Sequence, residues 1–163
     1  MVTSYNTNDS DIAIISMTGR FPGAKNIDEF WHNLCDGRES VSFFSEEELK
    51  ASGVSDELIK DPNYVNAGAV LDDIELFDAD FFNISPAEAE LIDPQQRLFM
   101  QCVWHALENA GYSPSQYGGI VSIYAGVASN TYQLSLISND VTQLRGYQGL
   151  LGNEKDYLTT RVA

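Results

Sequence analysis

The chain has 163 residues, of which 44% are hydrophobic and 20% are charged, an ordinary composition for one globular domain. Its net charge of −15 repels nucleic-acid phosphates, no apolar run approaches the ~20 residues that a membrane span needs, and two cysteines are too few for a disulfide framework. We therefore predict a cytoplasmic protein that binds neither nucleic acid nor a membrane.

Most of the negative charge lies in one part of the chain. Residues 39–93 contain 15 Asp and Glu residues against two lysines. A solvated acidic face explains such a block. The functional alternative is a surface that attracts a basic partner.

The amino-terminal region predicts a strand, a turn and a helix. Residues 1–10 have neither the basic nor the apolar region of a secretion signal, and we expect a disordered leader. "IAIISM" (12–17) is a continuous apolar run typical of a strand buried on both faces of a sheet. "GRFPGA" (19–24) has turn chemistry. Asn26 followed by Glu29 then forms a capping-box pattern, which predicts a helix.

Two further capping boxes predict helices in the acidic region. Ser45 with Glu48 opens the first, and Ser85 with Glu88 opens the second. Pro86 occupies the first helical position of the second, where a proline is well tolerated.

The longest predicted helix begins at Asp93 and ends before Gly111. Gln96 stands where it would complete a capping box with Asp93. Two apolar strips follow along this helix: a main strip of Leu98, Phe99, Cys102, Val103, Ala106, Leu107 and Ala110, and a second strip of Met100 and Trp104. We expect the helix to pack on two sides.

The last part of the chain predicts one more strand and the start of one more helix. "VSIYAGVA" (121–128) is an apolar strand candidate. Asn153 has the position of an N-cap for a helix that would continue to the last residue. Helices that flank apolar strands predict an α/β fold with a layered sheet.

Histidine and cysteine occur in two pairs, but neither pair predicts a catalytic or metal site. The pairs are His32 with Cys35 and Cys102 with His105. Bringing them together would give a zinc set, but Cys102 belongs to the apolar strip of the long helix, whereas His105 lies with Gln101, Glu108 and Asn109 on its polar side. Cys35 ends a helix beside an acid, where ionisation of the thiol is disfavoured. We interpret both cysteines as packing residues.

No other constellation supplies a catalytic group. The glycine-rich stretches lack the spacing of a phosphate-binding loop. Paired acids such as Asp78 and Asp80 in "FDADFF" (77–82) are interpreted as turn charges, with the phenylalanines anchoring the turn to the core.

Several stretches together resemble the β-ketoacyl synthase domain of modular type I polyketide synthases. The matching stretches are "RFPGA" followed by "FW", "FDADFF" with "ISP", "DPQQR" with "ALENAGY", and "GNEKDYLTTRV". Their order and approximate spacing are those of the family, and the resemblance runs from about Asp11 to the last residue.

The resemblance implies a thiolase-like fold, with two α/β halves in an αβαβα arrangement, of which this chain is an incomplete N-terminal half. It implies a homodimer that catalyses decarboxylative Claisen condensation of acyl units carried on the phosphopantetheine arms of acyl carrier proteins. A cysteine nucleophile and two histidines perform that chemistry in the family. Residues 11–163 are expected to stop before the nucleophile segment, so no catalytic residue is assigned, and His32 and His105 inherit no role.

Two groups of residues are candidates for contacts in the complete domain. Asn153 and Asp156 are predicted to lie near the acyl entrance, because their loop directly precedes the nucleophile segment in the family. The alternative for Asn153 is helix capping alone.

The second group consists of cations. Carrier proteins are usually acidic and the acidic block would repel them, so Arg20, Lys25 or Arg38 would have to make the contact.

Two other functions remain as alternatives. The chain could be a non-catalytic interaction module, either a split half that binds a complementary chain or an inactive decoy for carrier proteins. A thiolase-fold enzyme acting on free coenzyme A esters is disfavoured, because "DPQQR" and "RFPGA" resemble modular synthases.

Overall fold

A computed structural model describes residues 11–113, 115–134 and 151–163. The elements in chain order are α1 (Ile27–Cys35), β1 (Ser42–Phe43), α2 (Glu46–Ala51), α3 (Asp56–Ile59), β2 (Ala67–Gly68), α4 (Pro86–Leu91), α5 (Pro94–Ala110) and a short 3₁₀ helix (Lys155–Tyr157). The leader predicted for residues 1–10 lies outside the described residues.

The predicted starts of α1 and α2 are confirmed by their hydrogen bonds. Asn26 Oδ1 accepts from the Glu29 backbone N–H at 2.8 Å, and a Glu29 carboxylate oxygen accepts from the Lys25 N–H at 2.8 Å. In the complete capping box of α2, Ser45 Oγ accepts from the Glu48 N–H at 3.2 Å, and Glu48 accepts from the Ser45 N–H at 2.8 Å. These bonds satisfy backbone donors that a helix leaves open.

The starts of α4 and α5 are capped by the predicted residues, but neither predicted capping box is complete, and at α4 only the Ser85 half forms. Ser85 Oγ accepts from the Glu88 N–H at 3.3 Å, and an Asp93 carboxylate oxygen accepts from the Gln95 N–H at 2.8 Å. The prediction that Gln96 completes a box with Asp93 is wrong. The Asp93 N–H instead donates to the carbonyl oxygen of Gly152 at 3.0 Å, so a distant segment takes the place of the local partner.

The end of α5 is as predicted. Gly111 follows the helix with a φ of 73°, the left-handed conformation that glycine adopts without strain.

The strands are shorter than predicted and lie elsewhere. β1 and β2 form an antiparallel pair in which Ser42 faces Gly68 and Phe43 faces Ala67. The strands predicted at 12–17 and 121–128 are wrong for this structure. Neither segment has a pairing partner among the described residues, and an extended segment becomes a strand only when a neighbour bonds its backbone groups.

The apolar side chains of these two extended segments face outward. Ile12 is 95% exposed and Tyr124 is 92% exposed, so neither segment is buried on both faces as a central strand would be. They form two exposed apolar stretches at 12–17 and 120–124.

The buried core lies where α4 meets α5. Its apolar members include Ala89, Ile92, Met100 and Leu158, and polar side chains are buried among them. Residues 151–163 pack against this junction through the contacts described below.

The long helix α5 contacts other parts of the chain on two sides, as predicted. Trp104 packs edge-on against Phe81 with ring centroids 4.7 Å apart, and Phe77 stacks on Phe82 at 5.1 Å, which fits the predicted anchoring role of "FDADFF". On another side, Thr18 Oγ1 donates to the Cys102 carbonyl oxygen at 2.9 Å. No helix among the described residues has both the length and the apolar character required to cross a membrane.

Candidate functional site

Asn153 lies at the centre of the contact between residues 151–163 and the α4–α5 junction. It is 5% exposed. Its Nδ2 donates to the Leu91 carbonyl oxygen at 2.8 Å, and its Oδ1 accepts from Asn130 Nδ2 at 2.9 Å. The same Asn130 amide donates to the Asn153 carbonyl oxygen at 3.0 Å. Asn153 therefore joins three segments that are far apart in sequence.

The structure does not use Asn153 as a helix N-cap, so that part of the prediction is wrong. The helix that follows is only the 3₁₀ turn Lys155–Tyr157, whose N-cap residue is Glu154, and no side chain caps it. The physical reason is that the Asn153 side chain is engaged elsewhere. The Leu91 carbonyl oxygen at the end of α4 needs a donor, and the Asn153 Nδ2 supplies it.

Asp156 lies apart from this buried cluster. Its carboxylate is exposed and forms an ion pair with the neighbouring Lys155. The structure therefore places one of the two predicted entrance residues, Asn153, inside a cluster and leaves the other, Asp156, at the surface.

Gln96, in the first turn of α5, makes a second set of contacts with residues 151–163. It is 1% exposed. Its Oε1 accepts from Arg161 Nε at 2.7 Å, and its Nε2 donates to the Glu154 carbonyl oxygen at 3.2 Å. One side-chain amide thus holds both ends of the stretch from Glu154 to Arg161.

Arg161 has two further partners. Its Nη2 donates to the Leu151 carbonyl oxygen at 2.9 Å, and its Nη1 lies 3.9 Å from a Glu88 carboxylate oxygen. Burial lowers the pKa of Arg161 from its ordinary value, and the Glu88 carboxylate opposes that change.

Gly152 allows the two backbones to come close. A Cβ atom at this position would lie 2.9 Å from the Leu91 carbonyl oxygen and 3.3 Å from the Ile92 Cα. Only a glycine fits such an approach of one backbone to another without a shift.

A cavity of about 290 Å³ opens beside this cluster. It is lined mainly by polar groups from three segments: Asp93, Gln96, Val127, Ala128, Ser129, Asn130, Gln133, Asn153, Glu154 and Lys155. Gln95 fixes one wall, because its side-chain Oε1 accepts from the Ala128 N–H at 3.1 Å. None of the lining residues is a Cys or a His, so the chemistry that the cavity offers is hydrogen bonding and charge rather than a soft nucleophile.

The three predicted carrier-contact residues have different surroundings. Lys25 is exposed and pairs with Asp73 at 3.0 Å, a contact that raises the pKa of Lys25. Arg38 is exposed, and its Nε lies 3.6 Å from a carboxylate oxygen of Asp36. Arg20 is half-buried and lines a groove of about 240 Å³ with apolar residues of α5.

The cysteines and histidines occupy ordinary positions. Cys35 is exposed and Cys102 is half-buried. The ring Nδ1 of His32 lies 2.7 Å from the Asp28 carbonyl oxygen within α1. Among residues 11–113, 115–134 and 151–163, no group of three or more His, Cys, Asp or Glu side chains is placed to hold a metal ion.

Sequence reasoning misses most of the residues that build the cluster. The local pattern assigns Gln96 to a cap, Arg161 enters only within a stretch that matches the family, and Asn130 carries no signal at all. The contacts that join Asn130 to Asn153 and Gln96 to Arg161 span 23 and 65 residues, so no local pattern could have identified them.

Comparison with known proteins identifies the class. Residues 9–163 match the model of the β-ketoacyl synthase N-terminal domain. The chain belongs to the β-ketoacyl synthase family.

The relatives narrow the assignment to polyketide synthases. The chain is 43% identical over 164 residues to a phenolphthiocerol/phthiocerol polyketide synthase of Mycobacterium tuberculosis, covering 95% of this chain and 11% of that protein. It is 44% identical over 135 residues to polyketide synthase PksN of Bacillus subtilis, covering 83% of this chain and 2% of that protein. The chain therefore spans only a small part of these curated relatives.

Solved structures agree with this assignment. The oxazolomycin ketosynthase domain OzmH KS7 of Streptomyces albus matches with a TM-score of 0.75 and 32% identity, covering 91% of this chain and 26% of that one. The ketosynthase from module 6 of the bacillaene synthase of Bacillus subtilis matches with a TM-score of 0.69 and 34% identity, covering 92% and 22%. The chain is the N-terminal ketosynthase portion of a modular polyketide synthase, and its fold is part of the thiolase-like α/β fold.

Proposed function

We propose that the chain contributes the first part of a condensing domain that joins acyl units by decarboxylative Claisen condensation. The observation that supports this most strongly is the family match over residues 9–163, together with the likeness to solved ketosynthase domains. The remainder of the synthase is then its principal partner.

In that reaction a cysteine thiolate attacks an acyl thioester and the carrier thiol leaves. The extender unit then loses carbon dioxide, and its carbanion attacks the acyl carbonyl carbon. A carbon–carbon bond forms, the carbon–sulfur bond to the cysteine breaks, and the thiolate is regenerated. We propose that the cysteine and both histidines lie outside these 163 residues, so that this chain by itself does not catalyse condensation.

The contribution of the described residues would then be scaffold. Asn153 and its segment, held by Leu91 and Asn130, are our candidates for one wall of the acyl entrance, with Asp156 at its exposed rim. Lys25 and Arg38 are exposed cations that an acidic carrier protein could reach, and Arg20 lies deeper. We also propose that the complete domain is a homodimer that acts in the cytoplasm.

We propose that the two amides beside the cavity, Asn130 and Asn153, do not contact the phosphopantetheine arm of a carrier protein. Both Nδ2 contacts of Asn130 and the Nδ2 and Oδ1 of Asn153 are already engaged within the chain. We therefore assign these two amides a structural role and no contact with the arm.

A second candidate function is an interaction module that binds a complementary chain. The exposed apolar stretches at 12–17 and 120–124 favour it, because Ile12 and Tyr124 are more than nine-tenths exposed in a chain of high net charge. A complementary chain that pairs with these stretches would bury them.

Reading the coding DNA beyond codon 163 separates the two candidates. An in-frame continuation with a nucleophile segment, expressed to the end of its domain, should accept an acyl group from an acyl-N-acetylcysteamine thioester and condense it with a malonyl carrier protein. A cysteine-to-alanine variant of that nucleophile is the control. A stop codon, or a folded complete domain that takes no acyl group, would contradict the condensing function and favour the interaction module.

A further inference from the structure

We infer that Gln96 is a positioning residue of the condensing site, acting through the segment from Glu154 to Arg161. The inference rests on the proposed function. It goes further because it assigns a role in the reaction to a residue that carries no reactive group.

The contacts of Gln96 use each polar atom of its side chain once. Oε1 accepts from Arg161 Nε at 2.7 Å, and Nε2 donates to the Glu154 carbonyl oxygen at 3.2 Å. The side chain is 1% exposed, so water does not replace either partner. The two partners lie seven positions apart in sequence, and the amide therefore fixes the length and orientation of the turn between them.

Only a neutral amide satisfies both partners at this position. An ionised carboxylate accepts from Arg161 but cannot donate to Glu154, and a thioether does neither. Losing the acceptor leaves Nε of a largely buried guanidinium without its shortest hydrogen bond. Buried donors that lose a partner are costly, so the segment is expected to move rather than stay in place.

A movement of this segment matters for the reaction. The family resemblance places the nucleophile segment shortly after Arg161 and Val162, so a shift of this turn is transmitted to the thiol. A misplacement of ~1 Å at a reacting atom costs about 10²-fold in rate. Binding of the carrier protein occurs at the surface and should not change.

The test uses the complete ketosynthase domain that contains this chain, with two matched substitutions in α5. Gln96→Met removes both hydrogen bonds with little change in volume. Gln101→Met removes the same amide further along the helix, where Nε2 makes a long contact of 3.4 Å to Leu76 and Oε1 is buried without a partner. Single-turnover acylation is measured per folded molecule, and hydrogen exchange is followed in residues 151–163.

We expect Gln96→Met to lower the acylation rate constant about 10- to 100-fold at an unchanged KM for the acyl thioester. Exchange in residues 151–163 should become faster, while Gln101→Met changes neither quantity. If Gln96→Met does not fold, Gln96→Glu replaces it. An ionised carboxylate keeps the acceptor for Arg161 and loses the donor to Glu154, so this variant should also lower the acylation rate constant, by a smaller factor.

Acylation at the native rate by Gln96→Met, or by Gln96→Glu where Gln96→Met does not fold, would overturn the inference. A native domain that is never acylated would overturn the proposed function instead. In that case the exchange comparison alone decides whether Gln96 holds the segment.

Discussion

The side chain of Asn153 donates a hydrogen bond of 2.8 Å to the carbonyl oxygen of Leu91, across 62 residues of chain. Leu91 is the last residue of α4, and its carbonyl has no partner within that helix. The contact ties residues 151–163 to the start of the core helix pair. It explains why an asparagine occupies a position that is only 5% exposed.

Replacing Asn153 with Asp should lower the free energy of unfolding by about 1–3 kcal/mol. The acceptor for Asn130 is kept, but the donor to Leu91 is lost and a buried charge faces a carbonyl oxygen. Urea unfolding followed by tryptophan fluorescence measures the change. Asn83→Asp, the same chemical change at an exposed position with a φ of 54°, is the control and should have little effect. Equal stability of the two variants would contradict the burial of a needed donor.

Gly152→Ala should also destabilise the fold, by about 1–3 kcal/mol. The added Cβ would lie 2.9 Å from the Leu91 carbonyl oxygen, which is a backbone atom and cannot swing away as a flexible side chain could. Gly118→Ala is the control, because an added Cβ there meets nothing within 4 Å. Thermal unfolding measures the stability of the two variants. If Gly152→Ala is as stable as the native chain, the two backbones are further apart in solution.

Lys25→Ala should weaken binding of an acidic acyl carrier protein about 2- to 5-fold, the size of one exposed ion pair. Asp73→Asn should strengthen it, since Asp73 now holds the Lys25 ammonium at 3.0 Å. Lys50, which forms a similar exposed pair with Asp56 at 3.0 Å, provides the control substitution Lys50→Ala.

Titration calorimetry at two salt concentrations measures these affinities, and the difference should shrink at high salt. An affinity that is lowered as much by Lys50→Ala as by Lys25→Ala would indicate a general charge effect and no specific contact.

The capping box of α2 predicts a pH dependence. The Ser45 backbone N–H, and then the Ser45 hydroxyl, hold the pKa of Glu48 below its ordinary value of 4.5. Because the folded-state pKa is the lower one, the carboxylate stabilises the helix start above about pH 4.5, and this contribution is lost as the pH falls through the folded-state pKa.

Ser45→Ala should therefore raise the pKa of Glu48 part of the way back, since the backbone N–H remains. Carbon-13 NMR of the carboxyl group follows the titration. Ser55→Ala, which removes the cap of α3, should leave the pKa of Glu48 unchanged. An unchanged Glu48 titration in Ser45→Ala would show that the hydroxyl contributes nothing.

The exposed apolar stretches predict that the isolated 163-residue chain associates. Ile14 is 78% exposed within the stretch at 12–17, and contiguous apolar surface of this kind drives association. Ile14→Lys should shift the chain toward the monomer in size-exclusion chromatography with light scattering. Val65→Lys adds the same charge at an isolated valine that is 71% exposed and should have a smaller effect. Equal effects of the two variants would point to net charge as the cause.

The caps show what local sequence decides. Ser45 finds Glu48 three residues away, and Gly111 ends α5 with its own backbone conformation, so both are predictable from the residues alone. The class of protein is also available from the sequence, because "DPQQR" and "RFPGA" occur in the family order. Such features need no knowledge of where the rest of the chain lies.

Only the tertiary structure decided the roles of Gln96 and Asn153. Each has a side chain suited to a local cap, and each instead bonds a partner more than 60 residues away. The strands predicted at 12–17 and 121–128 failed for a related reason, since a strand exists only beside a partner. Local bonds need a favourable spacing, whereas these contacts need two distant segments brought together, and an individual stretch of sequence does not encode that proximity.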